Sequence, residues 1–77
     1  MKPGTLVRLG VDWVKDQRNN PVHVWNTLDE NDYTTNGRVE PDDVGLTLAD
    51  PDVCGRVLCL FADLRIGYVY AKKLTSV

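Results

Sequence analysis

Arg56-Val57-Leu58-Cys59-Leu60-Phe61-Ala62-Asp63-Leu64-Arg65-Ile66-Gly67-Tyr68-Val69-Tyr70 decides the fold of this 77-residue chain. The run after Arg56 is apolar to Ala62 and is bounded by Gly55 and Asp63. It is too short for a buried helix and fits a strand covered on both faces. Ile66 to Tyr70 follows after three residues, so the two segments form a hairpin, the fourth and fifth strands of the expected fold.

Working outward, Val44-Gly45-Leu46-Thr47-Leu48 alternates, with Val44, Leu46 and Leu48 expected inward, and stops at Asp50-Pro51-Asp52 because proline cannot donate to a central ladder. Thr5-Leu6-Val7-Arg8-Leu9 predicts a first strand with Val7, Leu9 and Val11 on one face, and Pro21 to Leu28 a second. In that second strand Val22 and Val24 oppose His23, Trp25 and Thr27. The polar turn Lys15 to Asn20 suggests that Val11–Val14 pairs back on Val22–Trp25, a hairpin carrying Trp13 and Trp25. Asp29 to Asp43 reads as a long loop with a tight turn at Asn36-Gly37. Ala71 to Val77 predicts a short turn and a final edge strand. No stretch longer than about six residues carries a 3.6-residue period, so the expected class is all-β: a five-stranded small barrel with a long acidic loop insertion.

The length allows one domain, residues 1–77, whose folding buries roughly 60% of the unfolded surface. A core this small leaves little room for a deep substrate cleft. Two cysteines do not make a disulfide framework, no apolar run approaches a bilayer span, and Met1-Lys2-Pro3-Gly4 does not open a signal peptide. A reducing cytoplasm is the expected address, without membrane contact. The net charge of −2 hides an asymmetry: from Asp29 to Asp52 eight acidic residues stand against Arg38 alone, a net −7, while the rest of the chain carries +5. Asp29, Glu30, Asp32, Glu40, Asp42 and Asp43 form the expected acidic surface. It keeps a small domain soluble or steers a basic partner.

The strand Gly4-Thr5-Leu6-Val7-Arg8-Leu9, the stretch Asp43 to Leu48, and Val57 to Tyr70 with Leu74 resemble the small SH3-like barrel proteins of tailed phages, notably those of marine cyanobacteria. The resemblance covers about half the chain and leaves residues 11–41 unmatched. It implies an SH3-like five-stranded barrel, phage-encoded, acting in the host cytoplasm with a host or virion protein as partner. The fold hosts peptide binders, nucleic-acid binders and structural plugs alike. Two departures stand out. Leu64 occupies the turn position where the family carries the glycine of Asp-Gly-Arg, so either the turn differs or Leu64 is strained and protrudes. Tyr70 and Lys73 stand where polyproline-binding SH3 domains carry proline and tyrosine.

No constellation points to an enzyme. His23 is the only histidine and reads as packing or surface, Cys59 reads as a core thiol, and Cys54 with Cys59 lacks the further ligands zinc requires. Asp29, Asn31 and Glu40 match positions one, three and twelve of a calcium loop, but Tyr33 and Thr34 break the template at five and six. No cofactor or metal is expected, and the exposed loop carboxylates should have ordinary acidities. The aromatics remain. Trp13, Trp25, Tyr33, Tyr68 and Tyr70 are too bulky for one small core to enclose, so some are expected at the surface as partner-binding anchors; Trp25 and Tyr68 alternatively lid the barrel ends. The expected function is a non-enzymatic interaction module binding through these aromatics and the acidic loop. The alternative is a nucleic-acid platform using Arg65, Lys72 and Lys73.

Overall fold

The computed structural model describes residues 2–16, 18–29 and 31–77. Among these residues seven short strands form one antiparallel sheet: β1 (Leu6–Leu9), β2 (His23–Trp25), β3 (Thr35–Arg38), β4 (Gly45–Thr47), β5 (Arg56–Phe61), β6 (Ile66–Tyr70) and β7 (Leu74–Ser76). Their order is β3-β2-β6-β5-β4-β1-β7. A five-residue helix, α1 (Val11–Lys15), follows β1, and a 3-10 turn, Ala71–Lys73, joins β6 to β7. The all-β class stands, with seven strands in place of five. No helix among the described residues is long and apolar enough to cross a membrane.

The β5–β6 hairpin is present as expected, but β5 is buried on one face and only partly covered on the other, where Leu58 and Leu60 are half-buried and Ile66 is exposed. Val57, Cys59 and Phe61 point into the core with Val69 of β6, while Leu58 pairs with Tyr68 and Leu60 with Ile66 on the opposite face. Its apex is a three-residue loop closed by Phe61 N–H donating to Arg65 O at 2.8 Å and Leu64 N–H to Phe61 O at 2.9 Å. That geometry demands a left-handed third residue. Leu64 supplies it at φ +69° and stands 82% exposed, so the strained, protruding alternative is the one realised.

The β4 strand is present, but its faces are the reverse of those expected. Gly45 and Thr47 face the core, while Val44, Leu46 and Leu48 lie on the outer side. Gly45 is paired with Phe61, and a Cβ at 45 would sit 2.9 Å from the Phe61 ring, so the phenyl group occupies the room a side chain would take. The inward Thr47 hydroxyl is satisfied, donating to Lys2 O at 2.7 Å and accepting from Thr5 N–H at 2.9 Å. Two local needs, space and hydrogen bonding, override the hydrophobicity pattern.

The segment between β1 and β4 departs most from expectation. Val11 to Val14 is a single helical turn rather than a strand, so no hairpin brings Trp13 to Trp25, and Val11 is exposed instead of joining Val7 and Leu9 in the core. Trp13 and Val14 pack on the edge of that core. Five residues are too few to show a period, and tertiary packing stabilises the turn. The expected long loop contains β3, paired with β2. Asn36-Gly37 lies within β3, where Gly37 at φ +83° accompanies a register shift opposite His23 and Trp25, the signature of a bulge. Val22, Val24 and Val39 carry this inserted hairpin into the main core.

The insert docks on β6 through Gly67. A Cβ there would lie 2.5 Å from Val24 Cγ1 and 2.6 Å from the Trp25 carbonyl oxygen. Gly67→Ala is expected to cost about 1–3 kcal/mol, measured by urea unfolding, with loss of Trp25 fluorescence blue shift as β2 lifts away. Leu64→Asn, which relaxes the left-handed turn, is expected to stabilise the protein by about 0.5–1 kcal/mol in the same assay.

Candidate functional site

One cleft of about 240 Å³ gathers side chains from three parts of the chain: Trp25, Asp29, Asp32 and Tyr33 from the insert, Cys54 and Arg56 from the start of β5, and Tyr70 from the end of β6. Each wall has a local cause. Val22 and Val24 point inward, so alternation turns Trp25 outward, beside its register partner Tyr68 and edge-on to His23 at 5.5 Å. The following segment is held by its own side chains. Thr27 Oγ1 accepts from Asp29 N–H, Asp29 Oδ1 from Asn31 N–H, and Asp32 Oδ1 from both the N–H and the hydroxyl of Thr34. The Thr34 N–H, then its hydroxyl, hold the Asp32 carboxyl below the ordinary carboxylate range, against the expectation of ordinary acidity, and keep it charged.

Opposite, Asp52 organises the β4–β5 connection. Its Oδ1 accepts from Cys54 N–H at 3.0 Å and Arg56 N–H at 2.8 Å, with Gly55 at φ +80° making the turn. Arg56 is only 7% exposed. Its guanidinium lies 5.5 Å from the centre of the Tyr70 ring and reaches across to the insert, where Nη2 donates to Leu28 O at 3.2 Å and Nη1 to Thr27 O at 3.5 Å. Its buried Nε–H has no partner, and among the described residues no carboxylate pairs with it.

The five aromatics singled out in the sequence divide. Trp25, Tyr33 and Tyr70 line the cleft, Tyr68 stands next to Trp25 along the sheet, and Trp13 lies on α1 beneath the Lys73 ammonium, 4.9 Å from its ring. The acidic residues divide as well. Asp29 and Asp32 line the cleft, Glu40 and Asp42 are exposed elsewhere on the insert, Asp43 pairs with Arg65, and Glu30 lies outside the described residues. Thr35–Arg38, which a calcium loop would wrap around its ion, is the strand β3.

The basic trio does not form one surface. Arg65 sits before β6 and is consumed by structure, pairing with Asp43 at 2.9 Å and with Asp63, and donating to Arg38 O at 2.7 Å. Lys72 and Lys73 follow β6, with their ammonium groups 6.0 and 5.4 Å from the Tyr70 ring centre. Burial, then repulsion from Lys72, pushes the Lys73 pKa down. The sequence places Arg56 only among the basic residues that could flank exposed aromatics and Cys54 only as an incomplete zinc pair; that both line this cleft, with Arg56 buried, is seen in the structure. The signal for Arg56 was a lone charge leading a strand that is otherwise apolar on both faces.

Burial raises the Cys59 thiol to about 11, which leaves it protonated at neutral pH, whereas Cys54 is exposed at the cleft. Ellman's reagent is therefore expected to titrate one thiol per chain in the folded protein, absent in Cys54→Ser, and the second only after denaturation; two fast thiols in native buffer would contradict this burial. No known protein family, curated protein or solved structure matches the chain, so the reading of the cleft rests on its own geometry.

Proposed function

We propose that the chain is a non-enzymatic interaction module, a small SH3-like barrel that grips a protein partner in the cleft between its insert and the β5–β6 hairpin. The observation that carries the reading is the convergence of Trp25, Tyr33 and Tyr70 with Asp29 and Asp32 around one opening. Aromatic walls with a charged rim are the composition of an interface anchor site. The volume suits one or two side chains rather than a whole substrate. The SH3-like reading is supported by the order β6-β5-β4-β1-β7, with a 3-10 turn before the last strand and the insert placed between the first and second strands of that set. The partner, on the sequence resemblance, is a host or virion protein that offers a basic and apolar segment.

Covalent chemistry would fall to Cys54, the exposed thiol of the cleft, because the Cys59 thiol is buried; His23, the only imidazole, lies against Trp25 and is not among the residues that line the cleft. The nucleic-acid reading draws support from Lys72 and Lys73 beside Tyr70, an arrangement suited to base stacking, but Arg65 is occupied by Asp43 and Asp63.

A panel of short peptides joining Lys or Arg to Phe or Leu, each made with a free and an amidated C terminus, tests the reading by isothermal calorimetry, which reads binding in the Trp25 variant as well. At least one peptide is expected to bind in either form, with affinity reduced about tenfold or more by Trp25→Ala or Tyr33→Ala. Absence of binding across the panel, or binding that ignores both substitutions, would overturn the proposal. Salt-sensitive binding of a ten-residue oligothymidylate would favour the nucleic-acid platform instead.

A further inference from the structure

Among the described residues the cations around Tyr70 have no counter-ion. The guanidinium of Arg56 and the ammonium groups of Lys72 and Lys73 all lie within 5.4–6.0 Å of one ring centre. Among the described residues none of the three takes part in an ion pair, whereas Arg65, at the other end of β6, holds two carboxylates. Arg56 is the telling member. It is more than nine-tenths buried, lines the cleft, spends its donors on two backbone carbonyls at 3.2 and 3.5 Å, and leaves Nε–H unsatisfied. A buried guanidinium with no anion is costly, and a guanidinium has five N–H donors to offer. Among the described residues the partner that Arg56 lacks is an anion.

The opposite wall says which kind. Asp29 and Asp32 line the same cleft, and the free oxygen of each carboxylate repels a chain of phosphates while attracting a cation. The cleft is thus dipolar, lined by Arg56 beside Tyr70 and by carboxylates on the insert, with Lys72 and Lys73 near the same ring but outside the lining. A ligand that satisfies both walls carries a carboxylate and a positive group a few bonds apart on an apolar stem. Resting on the proposed function above, we infer that the cleft captures the C-terminal residue of the partner chain: its terminal carboxylate pairs with Arg56, supported by Lys72 and Lys73, and a basic side chain at or next to the terminus faces Asp29 and Asp32. Guanidinium–carboxylate pairing of this kind is directional and suits a fixed chain end.

The probes are N-acetyl-Phe-Lys as the free acid and as the amide, followed by the shift of the Trp25 indole N–H resonance. The acid is expected to bind about tenfold or more tightly than the amide, and Arg56→Gln to abolish the difference. Arg56 also ties down the insert, so Lys72→Gln, at an exposed site, serves as the second variant; it is expected to narrow the acid–amide gap by about two- to fivefold in a protein whose unfolding midpoint is unchanged. Equal affinity for acid and amide in the unmodified protein would overturn the inference and leave the interaction-module reading standing. Failure of both probes and of the whole peptide panel would remove both. Displacement of the acid by inorganic phosphate but not by acetate would reassign the cations to a phosphate ligand and overturn the carboxylate assignment.

Discussion

A missing side chain at position 67 sets the geometry on which the rest depends. Ala would drive a methyl group into Val24 and the Trp25 carbonyl, so only glycine lets β2 pair with β6 at this distance. That contact seats Val24 in the core and turns Trp25 out beside Tyr68. It also brings the carbonyls of Thr27 and Leu28 within reach of Arg56, and so closes one side of the cleft. A second glycine, Gly45, makes room for Phe61 in the same way. The largest fully buried side chain and the docked insert are both accommodated by residues that contribute no volume. In a core of this size, packing is adjusted as much by what is left out as by what is put in.

This explains which parts of the fold could be read from the chain. β1 follows from alternation, β5 from its apolar run, β6 from the short connection to β5, and β7 from the turn before it. β4 also follows, yet its two faces are exchanged, since Gly45 and Thr47 answer to Phe61 and to hydrogen bonds from residues 2 and 5 that no local pattern encodes. β3 is polar throughout because it is an exposed edge strand, so it carries no hydrophobic signal at all. α1 is one turn long, and its stability lies in Trp13 and Val14 meeting the core and in the lysine over the indole ring. Leu64 was legible as an anomaly, since a hairpin loop of that length asks for glycine.

The site divides along the same line. Trp25, Tyr33 and Tyr70 were legible because too many aromatics compete for one small interior. Asp29 and Asp32 were legible only as members of a larger acidic group, most of which lies elsewhere: Asp43 answers Arg65 and Glu40 lies at 4.0 Å from Arg38. The charge asymmetry of the sequence is therefore partly internal wiring, and only a fraction of it faces the cleft. The charge of Arg56 was legible at the head of an apolar strand, but its burial was not, since that depends on carbonyls 28 and 29 residues earlier in the chain.

Two arginines fasten the insert to the frame, Arg56 to the carbonyls of Thr27 and Leu28, and Arg65 to those of Asn36 and Arg38. All four acceptors are main-chain oxygens, which every residue type provides. Apart from Asp43, whose carboxylate pairs with Arg65, the exposed polar positions between β2 and β4 can therefore change their side chains while keeping this attachment, since these four bonds read the backbone. Such an arrangement separates shape from surface chemistry: the frame and its two arginines preserve the mounting, and the exposed side chains of the mounted segment can vary without unseating it.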